Sequence, residues 1–397
     1  MTGRGRLAAG LVGGASLVVI GWSGLLVPSL IRSVQETFGQ DDAGLGLFYF
    51  LWAVAYASGS FGGGPLTERL GRRWVLGGAA VLHGVAIVGL GLAPSWSWFL
   101  AMAPFAAAAA GCLDGGANGV VLDVYREGRG RAMNLLHAAF SVGALAAPLV
   151  VGSLVAGGVG WQAVVVGSGV AVSTLALGYL LVPMPSGRRR RESDARAGDP
   201  GSSGPRGSGW LLRGPLLLLG IAIAAYVASE LGVSNWLVRF LEPAPLTTAT
   251  LALSLYWLGL TAGRLVSSAI ADRFDHLRFT LVALLALACF LAAAVLVPSL
   301  PLSIAAFAAA GFASGPVFPM IVALGGERYP ERSAAVGALL TGLAVVGATV
   351  YPPAMGALSV TVGLPVAMVG TAVLALAAAL ALVAFGRATG RRVHGSA

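Results

Sequence analysis

The sequence predicts an all-α membrane protein with twelve transmembrane helices in two six-helix, pseudo-symmetric halves. Three observations predict it. Of 397 residues, 57% are hydrophobic and only 10% charged, with a mean hydropathy of +0.85, whereas soluble chains carry about 25% charged residues. Twelve segments stay apolar over the ~20 residues that a bilayer crossing requires. A polar stretch rich in Gly, Ser and Pro, "RRRRESDARAGDPGSSGPRGSG", separates the first six from the last six. So much apolar surface fits no single water-facing core and places the chain in lipid. Glycine, at 58 residues, is about twice its average share, as expected where helices approach closely in a membrane.

The segments are 7–31, 44–64, 74–93, 97–122, 133–157, 161–182, 214–240, 247–271, 278–297, 301–325, 333–358 and 364–385. Breakers such as "APSW" at 93–96, "GGVG" at 157–160 and "VPSLP" at 297–301 fall between them. The first segment lacks an A-x-A-like cleavage site, so it is read as a retained helix and not a signal peptide. The predicted organisation is an N-terminal bundle at 1–182, a cytoplasmic linker at 183–213, a C-terminal bundle at 214–386 and a tail at 387–397.

The net charge of +9 comes from arginine, since the sequence contains no lysine. Arg4, Arg6, Arg69, Arg72, Arg73, Arg126 and the Arg188–Arg191 run fall on one side of a chain that crosses twelve times. Arg273, Arg328, Arg332 and Arg387 join them, and the other side receives only Arg32 and Arg239. Arginine gathers on the cytoplasmic face, so both termini and the linker are expected there, in a multi-pass protein of the cytoplasmic (inner) membrane. The basic balance therefore follows sidedness, and no nucleic-acid partner is expected. The expected partners are the bilayer and a small-molecule substrate, with the protein acting as a monomer. Cys112 and Cys289 stand alone in separate segments and read as packing residues.

The halves repeat. A shift of 204 carries Glu68-Arg69 onto Asp272-Arg273, and Gly143, Pro148 and Gly152 onto Gly347, Pro352 and Gly356. A shift of 200 carries "GCLDGG" onto "GFASGP", so that Asp114 falls on Ser314.

"GPLTERLGRR", 64–73, fits G-x-x-x-[DE]-R-x-G-[RK]-[RK] and stands between the second and third segments. This loop resembles that of the major facilitator superfamily, whose fold has two parallel six-helix repeats. The stretches "LDGGANG", "RAMNLLHAAFSVGALAAPL" and "YVASELGVSNWL" are similar to the fucose permease and sodium–glucose cotransporter-like branch. The resemblance implies that Gly64, Glu68, Arg69, Gly71, Arg72 and Arg73 form a cytoplasmic latch, with Asp272 and Arg273 as its reduced second copy. It also implies that segments 1, 4, 7 and 10 line a central cavity, and that Asp114 holds the place of a functional carboxylate. The second acid of fucose permeases, in segment 1, is replaced here by Gly24.

Asp114 stands out without that resemblance. It lies about 18 Å along its helix from Arg126 and about 24 Å from Trp98, too deep to reach either surface. Glu230 is similarly about 25 Å from Arg213 and about 13 Å from Arg239. Ionisable groups at such depth are rare and mark ion or substrate paths; the bland alternative is a structural carboxyl bonded to Asn118 at i+4. Proton coupling through Asp114, Glu230 or both is the expectation, with sodium as the rival ion and no other cofactor. No arginine or lysine is predicted in the cavity helices to face these acids, which argues against an anionic substrate. Trp22, Asn118, His137, Tyr226, Asn235, Trp236 and Tyr256, with Trp257, offer amide, imidazole and aromatic surface that suits a neutral solute such as a sugar. Half of the aromatic residues would serve equally as interfacial anchors. Arg264 is expected to pair with Asp272, and His83 to pack.

The expected function is a secondary active transporter of a small neutral solute, with a sugar as one candidate, working by alternating access. The alternative is a proton antiporter exporting cationic or lipophilic compounds, although Ala147-Pro148 and a single Gly152 depart from the antiporter pattern of helix 5. No metal cluster, nucleophile constellation or phosphate loop suggests an enzyme. The arginine distribution makes one prediction: a protease acting at Ser202–Gly209 will cut only from the cytoplasmic face. Cleavage in intact, right-side-out cells would overturn the topology.

Overall fold

Hydropathy marks where a helix is apolar, while hydrogen bonding decides where it ends. A computed structural model of the protein describes residues 3–125, 129–184 and 214–390. The linker from 185 to 213, Arg126 and the tail from 391 lie outside the described residues. Among those described there is no strand, and twelve helical spans are long and apolar enough to cross a membrane. They are α1 (Gly3–Phe38), α2 (Asp42–Leu70), α3 (Arg72–Gly91), α4 (Trp96–Val124), α5 (Arg129–Ala156) and α6 (Trp161–Ser173 with Leu175–Leu181). The rest are α7 (Pro215–Phe240), α8 (Leu246–Ile270), α9 (His276–Leu296), α10 (Leu300–Ser314 with Val317–Arg328), α11 (Ser333–Val362) and α12 (Leu364–Ala388). Several exceed the apolar segment that announced them. The first was expected to end at 31, yet α1 continues to Phe38 through the polar Arg32 and Glu36, because polar side chains do not end a helix outside lipid.

The chain clusters into two units, Met1–Gly39 with Phe48–Gly204 and Gln40–Leu47 with Pro205–Ala397. In the first, α1 packs on α5 and α4, and α3 on α6 and α4; in the second, α7 packs on α11 and α12, and α8 on α10. Large apolar side chains such as Val85, Phe105, Val170, Val282, Val366 and Leu380 remain exposed, as lipid-facing surfaces require.

The repeat is sharpest where two helices nearly touch. A Cβ on Gly111 of α4 would lie 2.0 Å from the Tyr56 carbonyl oxygen of α2, and one on Gly59 would lie 1.9 Å from that of Ala108. The same shift of 200 leads to Gly311, 2.1 Å from Tyr256 O, and to Gly259, 2.2 Å from Ala308 O. Only glycine allows this backbone-on-backbone crossing. Beyond it the shift grows to 204, because α10 runs four residues further past the crossing than α4, and the connection from α8 to α9 is four residues longer than that from α2 to α3. Four residues make about one turn. That turn is absorbed by a break at Gly315-Pro316 in α10 and by a 3-10 turn, Ala271–Arg273, after α8.

The crossing predicts a contrast between two glycines of one unit. Gly111→Ala should lower the unfolding free energy by about 1–3 kcal/mol, through overpacking against backbone that cannot move aside. Gly62→Ala, with no atom within 4 Å of the added carbon, should be neutral or stabilise by up to about 1 kcal/mol through helix propensity. Thermal unfolding in one detergent checks both, and equal effects would refute the crossing.

Candidate functional site

The α2–α4 crossing brings Tyr56 to Asp114. Tyr56 donates its hydroxyl proton to Asp114 Oδ2 at 2.9 Å, and Asn118 Nδ2 donates to Asp114 Oδ1 and to the Asp114 backbone oxygen, each at 2.9 Å. His137 of α5 is within electrostatic reach of the same carboxyl. A charged side chain at a helix centre costs about 2.5–3.5 kcal/mol in a bilayer, and each hydrogen bond to a charged group returns about 1.5–3 kcal/mol. The Tyr56 and Asn118 bonds to the two carboxyl oxygens therefore suffice to hold Asp114 at this depth. Asn118 Oδ1 is buried with no hydrogen-bond partner among the described residues, which leaves an acceptor beside the acid.

In the second unit Ser314 occupies the repeat position of Asp114, and the carboxyl comes from α7 instead. Glu230 is 9% exposed. Tyr226, one turn earlier on α7, makes hydrogen-bond contact through its Oη with Glu230 Oε2 and lies 2.9 Å from the Ser314 backbone oxygen. Tyr256, the repeat counterpart of Tyr56, is fully buried and within electrostatic reach of Glu230. The hydroxyls of Tyr256 and Ser314 are both buried and lie beside each other. Arg264 of α8 is within electrostatic reach of Tyr226 and Tyr256. Arg264 stands on α8, outside segments 1, 4, 7 and 10. The expected Arg264 partner, the side chain of Asp272, lies outside the described residues.

Two of the aromatic candidates bond their indole N–H groups inside their own units. Trp22 donates its indole N–H to Ser168 Oγ at 3.1 Å, and Trp236, fully buried, donates to the Pro352 carbonyl at 2.8 Å. Asn235 is partly exposed on α7, and His137 is exposed. His83 is fully buried between Ala106 O at 2.8 Å and Ser23 Oγ at 2.9 Å, a packing role. Cys112 and Cys289 are free thiols. Sequence reasoning missed Tyr56, although the shift that takes Asp114 to Ser314 also takes Tyr56 to Tyr256.

The sequence model of the Major Facilitator Superfamily matches residues 11–243 and again 208–396. The chain belongs to the major facilitator superfamily. It is 27% identical over 139 residues to sodium-dependent glucose transporter 1A of Mus musculus, a stretch covering 34% of this chain and 32% of that relative. Its fold is that of solved transporters. One is a bacterial homolog of the human lysosomal transporter Spinster, in an inward-facing and unoccupied conformation, with a TM-score of 0.77 and 18% identity, all of each chain being covered. Another is a D-xylose-proton symporter, TM-score 0.77 and 14% identity over 95% of this chain and 97% of that one. A third is the nucleoside transporter NupG as its D323A mutant, TM-score 0.76 and 12% identity over 97% of this chain and 99% of that one.

The superfamily loop between α2 and α3 is built as its motif requires. Gly71 adopts φ +87, a left-handed backbone that favours glycine, and so turns the chain from one helix into the next. Arg72 then reaches α4, where its Nη1 lies 2.6 Å from Asp123 Oδ2. Arg73 donates to the Leu180 carbonyl of α6. Gly64, Glu68 and Arg69 are exposed. At the other end of the helices, Arg239 pairs through Nε with Asp42 at 2.9 Å as well as with Glu242, and Ser359 donates to Asp42. These residues all belong to the second unit, which includes the first turn of α2.

The Arg72–Asp123 pair makes a test of its own. Arg72→Asp and Asp123→Arg should each impair transport, and the double exchange should restore part of it, with a coupling of about 1 kcal/mol in a stability cycle. Purely additive losses would show that the pair is incidental.

Proposed function

We propose that this superfamily member moves a small neutral solute across the cytoplasmic membrane by alternating access, driven by protons carried on Asp114 and Glu230. Hydrogen-bond arithmetic at the two carboxyls carries the reading. An ionised carboxylate only accepts hydrogen bonds, and Asp114 is met on its two side-chain oxygens by donors from Tyr56 and Asn118. At Glu230 the count differs. Tyr226 Oη contacts both Glu230 and the Ser314 carbonyl, but a phenol has one proton to give and a carbonyl has none. Both contacts are satisfied together when Glu230 carries a proton of its own. One half thus holds a carboxyl in a proton-accepting setting, and the other holds one in a proton-bearing setting.

Support for the substrate class comes from the relatives. A glucose transporter, a D-xylose-proton symporter and a nucleoside transporter are named among them, and Asn118 Oδ1 and Tyr256 Oη could bond a neutral hydroxylated solute. The arginine distribution supports cytoplasmic termini. The alternative remains a proton antiporter for cationic or lipophilic compounds, which the two carboxyls would also serve.

Reconstituted vesicles with separately imposed proton and sodium gradients test the proposal, using labelled D-glucose, D-xylose and uridine as probes. A gradient of one pH unit should support about tenfold accumulation of the transported probe at one proton per molecule. Asp114→Asn and Glu230→Gln should each abolish that accumulation and keep exchange of labelled for unlabelled probe, because an amide imitates the protonated side chain but releases no proton. Uptake that follows sodium alone, or full accumulation by both variants, would refute proton coupling. Loss of exchange together with accumulation would make the acids structural.

A further inference from the structure

The shift of 204 that carries Glu68-Arg69 onto Asp272-Arg273 also carries Arg72 onto His276, Asp123 onto Glu327 and Tyr125 onto Tyr329. The structure pairs these counterparts as well. In the first unit Arg72, at the start of α3, binds Asp123 near the end of α4 at 2.6 Å. In the second unit His276, at the start of α9, binds through Nδ1 to Glu327 Oε1 near the end of α10. Even the turn before each base is rebuilt by other means. Gly71 supplies a left-handed residue in the first copy, while Asp275 in the second caps α9 by accepting the backbone N–H of Arg278 at 2.9 Å. The functioning second copy of the latch is therefore set by His276 and Glu327, residues that the motif itself does not reveal.

The two copies differ in their base. Arginine keeps its charge at every physiological pH, whereas histidine changes charge between about pH 5 and 8. We propose that His276 and Glu327 form a pH-responsive clamp, a counterpart of the fixed Arg72–Asp123 clamp. Protonated His276 holds Glu327 by charge and hydrogen bond together; neutral His276 keeps only the hydrogen bond, so the clamp slackens as pH rises. The side chains are 22% and 35% exposed, so water moderates the pair but does not cancel it. Among the described residues, the other charged groups at this end are Arg273 on the 3-10 turn, Asp275 at the cap of α9, Arg278 on α9, Arg328 on α10, Glu331 and Arg332 after it, and Arg387 ending α12, while the side chain of Asp272 lies outside the described residues. Asp275 is engaged as the cap, and the Arg328 guanidinium lies 5.5 Å from the centre of the Tyr329 ring.

The transport consequence rests on the proposed cytoplasmic placement of this end. There the clamp would tighten as imported protons acidify the cell interior, while the first half's clamp would not respond.

Hydrogen exchange of the purified, full-length protein tests the clamp without a substrate. Exchange in peptides covering 271–280 and 322–332 is followed from about pH 5.5 to 8 and corrected for intrinsic rates. Local opening of these amides should increase about two- to fivefold over that range in wild type, the contribution an exposed ion pair supplies. His276→Arg should hold the closed level throughout, and His276→Gln the open level throughout. Peptides containing Arg72 and Asp123 should show no such dependence. A wild type without pH dependence, or the same dependence in both variants, overturns the proposal. Because no transport is measured, the result stands apart from the fate of Asp114→Asn.

Discussion

A carboxyl group in the middle of a bilayer must find its hydrogen bonds inside the protein, because lipid offers none. That constraint organises both halves of this transporter. In the first, two helices cross backbone on backbone at Gly59 and Gly111, and the crossing is what sets the Tyr56 hydroxyl against Asp114. A larger residue at either glycine would part the helices and leave the acid with Asn118 alone. The second half repeats the crossing at Gly259 and Gly311 but moves the carboxyl to α7, where Tyr226 attends it. One piece of backbone geometry therefore serves two differently placed acids.

The helix ends follow the same logic of repetition with substitution. A left-handed glycine and an arginine–aspartate pair tie α3 to α4. A capping aspartate and a histidine–glutamate pair tie α9 to α10. The four residues added within α10, and the four added between α8 and α9, explain why a single shift does not describe the repeat. A shift of 200 aligns the crossing, and 204 aligns the ends.

Much of this was legible in the chain. Length and hydropathy marked twelve spans, because a helix in lipid has to be apolar for a full crossing. Depth along a helix singled out Asp114 and Glu230, and the i+4 spacing put Asn118 beside the first. Tyr56 was not legible, since a tyrosine in an apolar segment that also holds Tyr49 looks like any interfacial anchor and its partner lies 58 residues away. His276–Glu327 was hidden because the motif's letters had changed while its geometry persisted. Trp22 and Trp236 looked like sugar-binding surface, yet packing claims their N–H groups within each unit. Arg264, which sequence distance places near its helix end, also lies within electrostatic reach of Tyr226 and Tyr256.

The account depends on Asp114 changing its protonation state while still held in the protein. Infrared difference spectroscopy of the full-length transporter in lipid, between about pH 5 and 9, measures that directly. Proton coupling through Asp114 predicts a protonated-carboxyl carbonyl band that converts to carboxylate as pH rises and is missing from Asp114→Asn. An Asp114 signal that stays carboxylate, or stays carboxylic acid, at every pH in that range would contradict it.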